Sequence, residues 1–406
     1  MRRLGLTLVL ALRNVFRQRV RSLFSLGTIG VGALGLFLFM GFNAGLMNQY
    51  RANAIRARFG HAELTQRGYR GQAHARPWEH WLSDTPLMLT ALRAMPGVRD
   101  VYPRLSFGAF VVRGETSLIA QGEGIDGVAE AKFFDQLNYE HGGDFGGALD
   151  GVVLGSGLAR GLRVGVGDEV QVAVQSATGA LARRTARVTG VFNTGLPALD
   201  DTSFRCPLEV AQALGGTDRV ERVAVALTRD DGFADFSRRV AAELPAIEAI
   251  PFDKLDEVYY QHGVDFLASQ FGFIRAILLL VAFLGIFNVL SMSVAERTAE
   301  IGTLRAHGDS RLEVATGHLL EAGFIGLIGA LLGLALASAL TASALRHGVA
   351  MPPAPGLTRS FRIIIELSWA DAGRVLALCT ATAMAGCALP VWRATRMSIA
   401  EALRHG

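Results

Sequence analysis

The 406-residue chain is 50% hydrophobic and only 19% charged, with a mean hydropathy of +0.32, which is too apolar for an ordinary soluble enzyme. The net charge of +4 comes almost wholly from arginine, since Lys132 and Lys254 are the only lysines, and no basic patch interleaved with aromatics points to nucleic acid. Its 3 cysteines exclude a disulfide framework: Cys206 stands alone in a polar stretch, while Cys379 and Cys387 share one apolar run. Eight helical residues would hold those two ~12 Å apart, too far for a bond.

Met1-Arg2-Arg3 and the apolar Leu4–Leu12 have the look of a signal peptide, but Arg13, Arg17, Arg19 and Arg21 follow in place of a small-residue cleavage site. Residues 1–21 therefore read as an amphipathic helix on the cytosolic membrane surface. An apolar run from Leu23 to Met47 predicts a first span over 22–48, ~37 Å long at 1.5 Å per residue. The six arginines before it place the N-terminus in the cytosol and residues 49–270 outside it.

Three further apolar runs follow, Phe271 to Val294, Ala322 to Leu345 and Ala370 to Val391. They predict spans at 271–294, 313–345 and 370–392, with a cytosolic link at 295–312, an external loop at 346–369 and a cytosolic tail at 393–406. Trp369 and Trp392 bracket the last run, and Tyr259 and Tyr260 precede the second, as interfacial aromatics do. Arginine bias does not orient the later loops, because Arg297, Arg305 and Arg311 on one side face Arg346, Arg359 and Arg362 on the other.

Residues 49–270 read as a folded α+β region. Ala91–Val98 closes a helix and Val101 starts a strand; Val223–Leu227, Phe233–Leu244 and Ile247–Ile250 read as a strand–helix–strand unit with parallel strands. Between them Val152–Leu154, Val170–Val174 and Ala186–Val191 suggest a small β-rich subdomain set into a mixed α/β one. Gly41/Gly45 and Gly329/Gly333 fit the small-xxx-small pattern of close helix packing, which serves a dimer seam or ordinary membrane packing equally well.

Catalytic chemistry is hard to place. A P-loop needs lysine directly after glycine, whereas Lys132 follows Ala131 and Lys254 follows Asp253. No H-E-x-x-H pair exists, and Leu154 stands where a nucleophile elbow through Gly155-Ser156-Gly157 needs its first glycine. The chain reads as a non-enzyme without a cofactor or metal, and any ATP-driven work falls to a separate subunit. Arg275 lies one turn inside its run and can snorkel; His318 and Glu321 precede the third apolar run and read as interfacial, with no second buried charge as partner.

The informative tract is Glu296-Arg297-Thr298-Ala299-Glu300-Ile301-Gly302-Thr303-Leu304-Arg305-Ala306-His307-Gly308. Ile301 and Leu304 would share one face of a short helix flanked by Arg297, Glu300 and Arg305, with Gly308 suited to a left-handed end. Ser310-Arg311-Leu312-Glu313 reads as a capping box opening the next helix. The element suits docking into a partner's groove; a plain solvated turn accounts for it equally well.

The same tract resembles the E-R-T-x-E-I-G-x-L-R-A-x-G signature of FtsX-like permeases, the membrane subunits of ABC transporters of the MacB and LolC/LolE type. Ala11-Leu12-Arg13-Asn14 with Arg17, Arg19 and Arg21 is similar to the arginine-rich segment before their first span. Thr194–Asp201 with Pro207-Leu208 leans to the lipoprotein-releasing branch; Ala299, His307 and Asp309 depart from the family's pattern.

The resemblance implies an α-helical membrane protein of four transmembrane helices, one plus three, around a large extracytoplasmic α+β MacB-like core domain. It implies a bacterial inner-membrane location with both termini cytosolic, a second permease, identical or paralogous, and an ATPase subunit that alone binds ATP. It also implies a coupling role for Glu296, Arg297, Glu300, Ile301, Gly302, Leu304, Arg305 and Gly308 on that ATPase. Lipoprotein extraction with a periplasmic chaperone is the leading expectation. The alternatives are efflux with a periplasmic adaptor and a non-transporting regulator of a cell-wall hydrolase.

Overall fold

The computed structural model describes residues 19–72, 77–83, 85–135, 137–175, 180–255, 262–352 and 360–404. Residues 1–18 and Tyr259 and Tyr260 therefore lie outside the described residues, and with them most of the expected surface helix. The chain forms two compact units, one of Met1–Asn48, Asp265–Ala350 and Arg362–Gly406, the other of Gln49–Val264 and Met351–Phe361.

In chain order the longer helices are α1 (Arg19–Asn53), α2 (Thr85–Ala94), α3 (Ser156–Leu162), α4 (Leu208–Gly215) and α5 (Phe233–Glu243). They continue with α6 (His262–Glu296), α7 (Thr298–Ala306), α8 (Arg311–Ala342), α9 (Trp369–Arg396) and α10 (Ile399–Arg404). Among the described residues α1, α6, α8 and α9 are long and apolar enough to cross a membrane. Each outruns its apolar stretch at one end at least. The boundary expected at 270/271 is corrected most: α6 starts at His262. Its 35 residues span ~52 Å, against a hydrocarbon core of about 30 Å. Hydropathy marks where a helix meets lipid, not where its hydrogen-bond ladder ends.

In the first unit Ile29, Ala33, Leu36 and Phe37 of α1 pack in one core with residues of α6, α7, α8 and α9. The glycine pairs are spent within the chain. A Cβ on Gly333 would strike the Gly30 carbonyl oxygen, and one on Gly45 the carbonyl oxygen of Ile364. Gly41 and Gly45 thus admit the extended segment before α9, where the Glu366 N–H donates to the Gly41 carbonyl at 3.0 Å and Asn48 donates to the Glu366 carboxylate. Ser368 then caps α9, its hydroxyl accepting from the Asp371 N–H at 3.1 Å. Backbone approach, rather than a seam between copies, accounts for these glycines.

The second unit is built on ten strands: β1 (Ala62–Gln66), β2 (Val98–Arg113), β3 (Thr116–Ile125), β4 (Asn138–Gly142), β5 (Gly151–Gly155), β6 (Glu169–Gln175), β7 (Leu181–Asn193), β8 (Ser203–Pro207), β9 (Arg222–Leu227) and β10 (Ile247–Pro251). β1 lies antiparallel between β9 and β10, so the expected strand–helix–strand unit has parallel strands, with β1 between them. The long β2 serves two sheets. Its first half, Val98 to Arg104, pairs with β9; its second half pairs with β3 and β6. From there the ladder runs β3–β8–β5–β7–β6 and returns to β2, closing a six-stranded barrel around Leu105, Val111, Val152, Leu154, Val172, Val188 and Phe204. The β-rich subdomain is thus a barrel that grows out of the α/β sheet along one continuous strand.

Where β2 changes partners lies a buried ion network. Arg104, 1% exposed, donates to both carboxylate oxygens of Glu130 at 2.7 and 3.0 Å. Glu123 of β3 meets Arg222 of β9 at 2.6 Å, Arg205 of β8 at 3.2 Å and Arg104 at 3.5 Å. Glu221 joins through Arg222 at 2.7 Å and accepts from the Tyr69 hydroxyl at 2.8 Å. Burial alone would raise the Glu123 carboxyl, but the three guanidinium groups outweigh it and hold it well below the usual carboxylate range. Glu63, buried beside Arg222 at 3.4 Å, goes the other way, because desolvation exceeds the attraction of Arg222 and Arg104. The charges tie β1, β2, β3, β8 and β9 together across the junction of sheet and barrel.

Candidate functional site

α7 lies between α6 and α8, the second and third of the long apolar helices. Arg297 breaks the α6 ladder with φ −101° and ψ 12°, and Gly308 ends the segment at φ +102°, where a side chain would be strained. The capping box at the head of α8 is present: the Ser310 hydroxyl accepts from the Glu313 N–H at 3.2 Å, and the Glu313 carboxylate accepts from the Ser310 N–H at 3.0 Å. Both ends of the element are therefore fixed by local chemistry.

The helix divides its residues between two faces. Arg297, Thr298, Ile301 and Gly302 are buried, with Ile301 at 0% exposure, whereas Glu300, Thr303, Leu304 and His307 are exposed. The pairing of Ile301 and Leu304 as joint anchors is corrected. One residue is core and the other, 42% exposed, is surface, because positions three apart at the edge of a narrow stripe fall on either side of it. Arg305 turns inward too: its guanidinium donates to the Met397 carbonyl in the link between α9 and α10. Glu296 closes α6 on its exposed side. His307 closes α7 by donating Nδ1–H to the Thr303 carbonyl at 2.8 Å.

The second correction concerns charge. Arg297, expected on a solvated rim, is 7% exposed, and Glu321, expected at the interface without a partner, is 8% exposed. They meet at 2.7 Å, Nη1 to Oε1. Sequence reading missed this pair because the residues stand 24 positions apart on different helices. The available signal was a lone acid at the mouth of an apolar run, which needs a cation from elsewhere. Beyond Arg297, the Glu300 carboxylate lies 3.7 Å from its Nε.

The outward face of the element carries Glu300, Thr303, Leu304 and His307. Along the chain, one long apolar helix precedes a large α+β domain and three follow it, with this short element between the second and third. Residues 22–243 match the MacB-like periplasmic core domain, more than half of the chain, and residues 272–399 match the FtsX-like permease C-terminal region. The chain belongs to the FtsX-like ABC transporter permeases that carry a MacB-like periplasmic core domain.

It is 26% identical over 342 residues to the lipoprotein-releasing system transmembrane protein LolE of Haemophilus influenzae, covering 77% of this chain and 79% of that one. To the macrolide export ATP-binding/permease protein MacB of Hyphomonas neptunium it is 29% identical over 173 residues, 41% of this chain but 24% of the other. The solved periplasmic region of MacB from Actinobacillus actinomycetemcomitans shares 15% identity and a TM-score of 0.37 over 50% of this chain and 94% of its own.

Proposed function

We propose that this chain is the permease of an ABC transporter in which a separate ATPase subunit drives the external domain through α7, and that its cargo is a lipoprotein or similar amphiphile drawn from the inner membrane. The observation that carries the reading is the two-faced α7, locked inward by Arg297 and Ile301 and presenting Glu300 and Leu304 outward. Glu300, Leu304 and their neighbours would seat on the ATPase, the long helices that α7 joins would carry the load outward, and a second permease, identical or paralogous, would complete the complex. Both termini would be cytosolic and residues 49–264 periplasmic.

Lipoprotein cargo is supported by the similarity to LolE along most of both chains. The physics agrees: an acyl chain leaving the outer leaflet sideways costs about 0.8 kcal/mol per exposed CH₂, so a lateral opening and a shielding surface suffice. Reconstitution with the ATPase subunit in lipoprotein-loaded proteoliposomes, with a lipoprotein-binding chaperone outside, tests it; ATP-dependent release is expected. ATP turnover without release would favour efflux through a periplasmic adaptor, the reading that the similarity to MacB supports. ATP-dependent activation of a cell-wall hydrolase, with no cargo moved, would favour the regulatory reading instead.

A further inference from the structure

We infer that Arg297 and Glu321 are a positioning joint that fixes α7 to α8, so that force taken up on the exposed face of α7 is delivered to α8 instead of being lost as rotation of α7. The inference rests on the docking role proposed for that face and names the device that makes it transmit.

The geometry is that of a chain of charges running inward. Glu300 is on the surface, its side chain 55% exposed; Arg297 is buried behind it; Glu321, 2.7 Å beyond, belongs to α8. The Arg297 backbone also starts α7, its carbonyl accepting from the Ile301 N–H at 3.0 Å, so the residue that begins the helix is the one bonded to α8. A buried guanidinium without its carboxylate is strongly unfavourable, and this makes the joint close to all-or-none. Arg297 Nε is buried without a hydrogen-bond acceptor, and the carboxylate of Glu300 faces it from 3.7 Å. Ile301 packs into the same core as Val314 of α8 and Val294 of α6, so the ionic contact sits within an apolar seal. At the far end, Arg305 donates to the Met397 carbonyl in the link between α9 and α10, and the capped turn before Arg311 joins α7 covalently to α8, so the Arg297–Glu321 contact fixes the opposite end of α7 to the same helix.

Two measurements on the full-length chain test the joint. In the chain alone, hydrogen exchange of residues 298–306 should accelerate at least tenfold in E321Q and in R297A, and the charge-swapped R297E/E321R should recover most of that loss. With the ATPase subunit bound, E321Q should hydrolyse ATP within about twofold of wild type while lipoprotein release falls tenfold or more, and the swap should restore release. A purely structural defect would lower ATPase association, hydrolysis and release together, and that outcome overturns the joint, as does wild-type exchange and release in E321Q. If the wild-type chain binds no ATPase at all, the docking reading fails, while exchange in the chain alone still decides whether the pair fixes α7.

Discussion

Replacing Glu123 by alanine should loosen the external domain far more than any surface charge change. The carboxylate touches Arg222, Arg205 and Arg104 at 2.6, 3.2 and 3.5 Å, and Arg205, 9% exposed, would lose its ion pair and be left stacked over the Phe192 ring at 5.9 Å. Removing one partner from a buried ion cluster costs about 3–5 kcal/mol, because the remaining charge stays desolvated. The exposed pair Arg229–Asp231 supplies the control: both side chains are at least 70% exposed, and solvent-screened pairs of this kind contribute little to stability. Hydrogen exchange of the 98–125 peptides reads the difference. At 1.4 kcal/mol per factor of ten, E123A should speed exchange there by roughly two to three and a half orders of magnitude, with E123Q in between and D231A unchanged. Exchange in E123A within threefold of wild type would refute the claim that these charges hold sheet and barrel together. On the proposed function that stiffness would matter, because a domain that relays motion would do so only if its two halves moved as one.

Other perturbations separate the remaining links. Gly45→Ala should lower the midpoint of thermal unfolding in detergent, by an overpacking cost of ~1–3 kcal/mol or more, while Gly27→Ala on the same helix, where an added methyl meets open space, should not. Ser310→Ala with Glu313→Ala removes the capping box and should cost about 1–2 kcal/mol, read as faster exchange confined to the first turn of α8. Burial pushes the Cys206 thiol from its usual 9.0 up to about 12, so iodoacetamide at pH 8 should modify it only after unfolding. A raised folded-state value means this stabilisation is complete below the unfolded thiol's value and is lost as pH climbs from 9.0 towards about 12. Alkaline unfolding should therefore be shallower in C206A.

What the sequence made visible divides along physical lines. Apolar runs announce membrane helices because lipid contact is a local property, and the Ser310/Glu313 cap was legible because its partners are three residues apart. The barrel was not, since its closure depends on β6 reaching β2 across a long stretch of chain and on β2 changing partners at Arg104. Nor was the Arg297–Glu321 pair, whose members read separately as surface charges. Ile301 and Leu304 show the intermediate case: helical spacing put them on neighbouring positions, and packing alone decided which went inside.

If a separate ATPase works this chain through the exposed face of α7, as proposed, retention of that ATPase by a Glu300→Arg/Leu304→Asp variant reports on it without intermediaries. Both side chains are exposed, so the permease should fold and purify as wild type. ATPase co-purification and ATP-dependent release should both be lost. A variant that kept both at wild-type levels would contradict the proposal.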